Sequence, residues 1–285
     1  MTRDARANTT HDERVNTMRD ERANTTHDEH VHTTRDEGVK AKRADVWRRI
    51  VLAVLACAYA VLWAGGVGHY LFIGAVSAEQ YWLASAFLFV AGLLVLLAAN
   101  SRRVALRLVA VAALGFAFEF CGVRYGWPFG RYTYTSVLQP TLFGVPLVMA
   151  CAWMVLVAYL KQTLLYLNVP AWSGALIAAV WMTWIDLLID PLAANQLGYW
   201  RWAERGSYYG IPASNFVGWF VCSLAIFMLF RQRWPPNLWH RLTGASIILF
   251  FTLVALSFQL FAAALVGLSL CAAEVFLHLR RRNVE

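Results

Sequence analysis

The sequence predicts an all-α, polytopic helical membrane protein with about eight transmembrane helices and cytoplasmic N- and C-termini. Three observations carry this reading. Hydrophobic residues make up 59% of the chain, against about 45–50% apolar in soluble domains, and the mean hydropathy is +0.50. The apolar residues are gathered into runs long enough to span a bilayer. Lys and Arg flank those runs in clusters, so the formal net charge of +8 reads as membrane topology and not as nucleic-acid binding.

The polar N-terminus comes first. Residues 2–41 hold five copies of an eight-residue unit: TRDARANT, THDERVNT, MRDERANT, THDEHVHT and the degenerate TRDEGVKA. Such a segment buries too little surface to offset its chain entropy, so residues 1–45 are expected to be disordered. It is too polar for a signal peptide, and Met18 is an alternative start. His27, His30 and His32 read as solvated low complexity, not as metal ligands. Residues 46–283 are expected to form one transmembrane helical domain.

The apolar segments lie at about 50–68, 81–99, 104–121, 144–166, 172–190, 213–230, 243–259 and 261–279. The last two come from one stretch, Gly244 to Leu279, equivalent to roughly 54 Å of helix against a hydrocarbon core of about 30 Å. Charge divides it. Lys40, Lys42, Arg43, Arg48 and Arg49 place the start of the first span inside, and Arg102, Arg103, Arg231, Arg233 and Arg241 then also fall inside. Arg280, Arg281 and Arg282 follow the same rule only if the stretch makes two spans, with a hinge near Ser257–Phe261. This topology puts the connections 122–143 and 191–212 on the same, non-cytoplasmic side.

Those two connections and the helix ends beside them hold the unusual chemistry. In EFCGVRYGWPFGRYTYT (119–135), Glu119 ends the third span above a stripe of small residues, Ala112, Gly115 and Gly122. The stripe fits close helix packing or a groove that admits a ligand. An intramembrane acid is costly and is usually functional or paired; Arg124 and Arg131 are the candidate partners. In WMTWIDLLIDPLAANQLGYW (181–200), Asp186 and Asp190 stand one helical turn apart. Carboxyl groups this close in a poorly hydrated place disfavour double ionisation, so one is expected to hold a proton, as an acid catalyst requires. Alternatively, Asp190 caps the helix end near Pro191 or the next segment, and only Asp186 faces inward. Asn215 reads as the N-cap of the sixth span. Trp181, Trp184, Trp200, Trp202 and Trp219 fit an interfacial belt or the lining of a site for a cation.

Several classes are excluded by what is missing. Beyond the tail, His69, His240 and His278 are far apart, which argues against a histidine-rich di-iron enzyme. There is no dinucleotide fingerprint, Ser-His-Asp set or phosphate-binding loop. Cys57, Cys121, Cys151, Cys222 and Cys271 lie in or beside apolar runs without metal-ligand spacing and read as small apolar side chains.

The paired blocks EFCGVRYGWPFGRYTYT…FGVP and WIDLLIDPLA…YWRW…YYGIPASNFVGW resemble the carotenoid biosynthesis family of CruF-type hydratases, over roughly residues 50–280. The resemblance implies a multi-pass protein of a prokaryotic cell membrane that adds water across the terminal C1–C2 double bond of an acyclic (ψ) carotenoid end group. It implies no metal and no redox cofactor, a membrane-embedded carotenoid as substrate, and other carotenoid-biosynthesis enzymes as partners. The chemistry applied to the matching positions names Glu119, Asp186 and Asp190 as acid and base. Arg124, Tyr125, Trp127, Arg131, Tyr132, Tyr134, Trp184, Tyr208, Tyr209 and Trp219 are expected to bind substrate, and Asn215 to hold the water. Two other readings stand beside this one. The D-x-x-x-D pair could hold Mg²⁺ for a diphosphate in a membrane prenyltransferase, or the protein could carry carotenoid or lipid without altering it.

Overall fold

Among the described residues, eight α-helices follow the eight apolar runs. The computed structural model describes residues 43, 45–74, 77–167 and 169–282, so the repeat tail, with its expected disorder, lies outside the described residues. The helices are α1 (Asp45–Phe72), α2 (Trp82–Leu97), α3 (Arg102–Tyr125), α4 (Val148–Leu167), α5 (Ala171–Asn195), α6 (Ala213–Leu229), α7 (Leu238–Ser257) and α8 (Phe261–Arg282). Seven are long and apolar enough to cross a membrane, and α6, with 17 residues, is shorter. The chain is a polytopic helical membrane protein. Contacts divide it into two units, residues 1–53 and 54–285, and the second contains α2 to α8 and both long connections.

Local signals set the helix ends. Ser101 caps α3 by accepting from the Val104 amide, and Gly126 (φ 71°) ends it in the left-handed conformation that glycine adopts without strain. Asn237 caps α7 through the His240 amide. The long apolar stretch breaks where charge requires it. α7 stops at Ser257, Gln259 turns the chain with φ 57°, and α8 starts at Phe261.

α4 lies at the centre: 72% of its apolar window is buried, against 28% for α3 and α8. It packs against α2, α3 and α7, while α5 packs against α6, α7 and α8. At one end of these helices the α2–α3 and α6–α7 connections are joined, with Asn237 Nδ2 2.8 Å from Ala98 O and Asn100 Nδ2 3.0 Å from Pro236 O. At the opposite end, β1 (Tyr132–Tyr134) pairs antiparallel with β4 (Trp200–Trp202), setting Tyr132 opposite Trp202 and Tyr134 opposite Trp200. A small hairpin, β2 (Thr141–Leu142) and β3 (Val145–Pro146), adjoins them. Its turn residues Phe143 and Gly144 both have positive φ, as a type I′ turn requires. The long connections 122–143 and 191–212 therefore share one end of the bundle, as their predicted topology requires.

Candidate active site

The third helix brings one carboxylate inward. Glu119 is only 3% exposed and accepts three hydrogen bonds, all from neutral aromatic side chains. Tyr132 Oη (2.5 Å) and Tyr134 Oη (2.8 Å) donate to Oε2, and Trp153 Nε1 (2.9 Å) donates to Oε1. The two tyrosines are two residues apart on β1 and so face the same way. Burial, then the charge of Glu119, holds both phenols well above their ordinary range, which keeps them protonated as donors.

The small-residue stripe seats these donors. A Cβ on Gly115 would lie 2.3 Å from Trp153 Cγ, and one on Gly122 would lie 2.7 Å from Tyr132 Oη. Gly115 thus permits the close packing of α3 on α4 that one reading expected, and the rings seated at both glycines are those that bind Glu119. The expected arginine partners are corrected too. Arg124 and Arg131 are exposed, and neither forms an ion pair with Glu119; among the described residues the ion pair is Arg241–Glu274.

The fifth helix brings in the other two acids. Asp186 and Asp190 are 3% and 1% exposed, so both face inward. α5 continues through Pro191 to Asn195, which removes the reading of Asp190 as a helix-end cap. Their carboxylates converge on a single amide: Asn215 Nδ2 lies 2.7 Å from Asp186 Oδ2 and 2.6 Å from Asp190 Oδ2. The N-cap expectation for Asn215 is corrected as well. Pro212 occupies that position, and Asn215 is the third residue of α6, within its first turn, where its side chain reaches α5. Asp190 takes a further bond from Trp200 Nε1 at 2.7 Å.

Pro191 has no N–H, so the carbonyl four residues earlier, Leu187 O, loses its helical partner. Tyr208 Oη replaces it at 3.0 Å. Burial raises the Tyr208 phenol to about 12, and it too remains a donor. Tyr209 serves the frame: its hydroxyl accepts from the Ala262 amide and its carbonyl from Asn195 Nδ2.

Aromatic rings connect the acids. Trp153 stacks on Trp219 of α6 at 4.3 Å and 10°. Tyr132 meets Trp202 at 5.0 Å, and Tyr134 meets Trp200 edge-on at 5.9 Å. Beyond Trp200 lies an apolar cavity of about 60 Å³, lined by Leu88, Leu138, Met149, Ile247 and Phe251 among others.

Of the residues named from sequence, the structure gathers Glu119, Asp186, Asp190, Tyr132, Tyr134, Tyr208, Asn215 and Trp219 here. It leaves Tyr125, Trp127 and Trp184 exposed, at 69%, 61% and 42%, together with Arg124 and Arg131; the position of Tyr125 and Trp127 at the end of α3 suits an interfacial belt, whereas Trp184 lies at the middle of α5. Sequence reasoning missed Trp153. Its signal is an indole N–H inside an apolar run, which must find one of the few acceptors available there.

The fold and the site define a class: a multi-helix membrane protein with three buried carboxyl groups walled by aromatic rings beside an apolar cavity. The chain belongs to the carotenoid biosynthesis protein family, whose model matches residues 79–279. It is also 36% identical over 134 residues to the bisanhydrobacterioruberin hydratase of Haloarcula japonica, a match that covers 45% of this chain and 45% of that relative. The match thus spans about half the length of the curated relative. No solved structure matches the chain.

Proposed function

We propose that the protein is a carotenoid hydratase of the cell membrane, with both termini cytoplasmic, acting on the C1–C2 double bond of an acyclic ψ end group. The observation that carries this reading is the convergence of Asp186 and Asp190 on the Asn215 amide, with Trp200 joining Asp190 to an apolar cavity.

The acid form of one carboxyl of the pair gives its proton to C2. The π electrons form the new C–H bond and leave a tertiary cation at C1, which the rings of Trp200 and its neighbours stabilise. A lone pair of water closes on C1, and the resulting oxonium returns a proton to a carboxylate. The sum is alkene plus water to tertiary alcohol, with no change in electron count and hence no need for a redox partner. Glu119, held by three donors, is the second acid–base candidate and fixes the ring wall. Asn215 keeps the pair in register and orients the water.

Expression in a host that accumulates an acyclic-ended carotenoid should yield pigment heavier by the mass of one water. Unchanged pigment mass, with the protein present in the membrane, would sink the proposal. Product formation that required a prenyl diphosphate and stopped with chelator would favour the prenyltransferase reading instead.

A further inference from the structure

The opposite end of the helices holds a second site of different chemistry. A cavity of about 130 Å³ lies between the last turns of α4, the first turn of α5 and the chain after α6. Lys161 lines it and is only 5% exposed. Its ammonium donates to Phe230 O, at the end of α6, and lies over the rings of Phe227 (5.3 Å) and Trp234 (5.9 Å). That carbonyl uses one of three ammonium protons.

The other charged residues around the cavity are also positive. Arg231 and Arg233 contribute to the wall beside Gln232, and no Asp or Glu does; among the described residues Lys161 forms no salt bridge. The Trp234 indole N–H is buried and meets no acceptor among the described residues. The first turn of α5 presents Pro170, Ala171 and Gly174 to the cavity without a side-chain cap. Its leading amides therefore have no partner within the helix, and the positive end of the helix dipole faces the same space. The Phe230 carbonyl offsets part of the Lys161 charge, but it does not answer the indole or the helix end. A buried ammonium without a carboxylate calls for an anion from outside.

We propose that this cavity binds a phosphate group, supplied by the headgroup of an anionic phospholipid. The apolar part of the wall, Leu164, Leu165 and Phe227, suits the hydrocarbon attached to such a headgroup, and the phosphate takes the donors left open by Lys161, Trp234 and α5.

The test uses the full chain purified in detergent, with thermal unfolding and native mass spectrometry in phosphatidylglycerol, phosphatidylcholine or inorganic phosphate. Phosphatidylglycerol should raise the midpoint by several degrees and stay bound in the mass spectrum, and phosphatidylcholine should not. Arg231→Gln with Arg233→Gln should remove most of that shift and lower bound phosphatidylglycerol severalfold, leaving carotenoid conversion unchanged. Lys161→Gln should do the same where it folds. Arg102→Gln with Arg103→Gln, at the same end but away from the cavity, should retain the shift. A shift reproduced by inorganic phosphate alone would keep the phosphate site and assign its source to the free ion. Equal shifts with both lipids, or equal losses in the two arginine pairs, would overturn the proposal. The unfolding and mass readouts are independent of turnover, so their failure is distinct from failure of the hydratase reading.

Discussion

Tyr134 and Trp200 face each other across the β1–β4 ladder with ring centroids 5.9 Å apart. One donates its hydroxyl proton to Glu119, the other its indole proton to Asp190. A two-stranded ribbon of three residues per strand thus sets the spacing between acids carried by different helices.

Trp200→Phe keeps the ring and deletes the bond to Asp190. The expected outcome is folded protein whose carotenoid conversion falls by about tenfold or more, since a lost hydrogen bond to an acidic group is worth roughly 1.5–3 kcal/mol. Pigment analysis beside a membrane immunoblot measures it, and full conversion would remove Trp200 from the site.

Asp186→Asn and Glu119→Gln each preserve shape and remove an acid. Both should lower conversion by about 10²–10⁴-fold, the usual contribution of general acid–base catalysis, with the protein still inserted. If both variants convert normally, the proton comes from elsewhere.

Asn215→Leu leaves two buried carboxylates without their shared donor. Unfolding in detergent should occur at a clearly lower temperature, for a loss of about 1–3 kcal/mol. Val217→Leu, at an exposed position of the same helix, should melt as the parent does.

Gly115→Val places a branched side chain where Trp153 Cγ leaves 2.3 Å for a Cβ. The Trp153 ring must shift from Glu119 and from its stack on Trp219. Lower stability and altered tryptophan fluorescence are expected together, and an unchanged spectrum would show that the ring is not held as described.

Tyr208→Phe should lower stability by about 1 kcal/mol, because it leaves Leu187 O without the donor that replaces the missing Pro191 amide. A second change, Pro191→Ala, restores that amide. It should make the Tyr208→Phe loss smaller in a double-mutant cycle.

Much of the architecture could be read from the sequence because bilayer thickness converts apolar length into helices almost directly. The break between Ser257 and Phe261 followed from the length of the apolar stretch together with charge, and the shared end of the two long connections followed from counting spans. The partners of the carboxylates were harder to read. Formal charge pointed from Glu119 to Arg124 and Arg131, its near neighbours in the chain. The donors instead come from strand alternation at Tyr132 and Tyr134, and from a ring on another helix at Trp153. Asn215 looked like a cap because it lies near a helix start; its actual role depends on how α6 rolls against α5, which no local pattern encodes. Tyr125 and Trp127 belong to the same motif as Tyr132, yet they flank the turn at Gly126 and stay exposed.

Among the described residues, each side-chain donor to the three acids comes later in the chain than its acceptor. Tyr132, Tyr134 and Trp153 come after Glu119, and Trp200 and Asn215 after Asp186 and Asp190. During synthesis α3 and α5 must therefore enter the bilayer before their acids have partners. An aspartate at mid-span adds about 2.5–3.5 kcal/mol to insertion, and less near an end. Glu119 and Asp190 lie toward the late ends of their helices, where that penalty is smaller, whereas Asp186 lies close to the middle of α5. A ribosome stalled after α5 but before β4 would leave the aspartates without Trp200 and Asn215, so β4 and α6 supply the partners that α5 lacks when it is made.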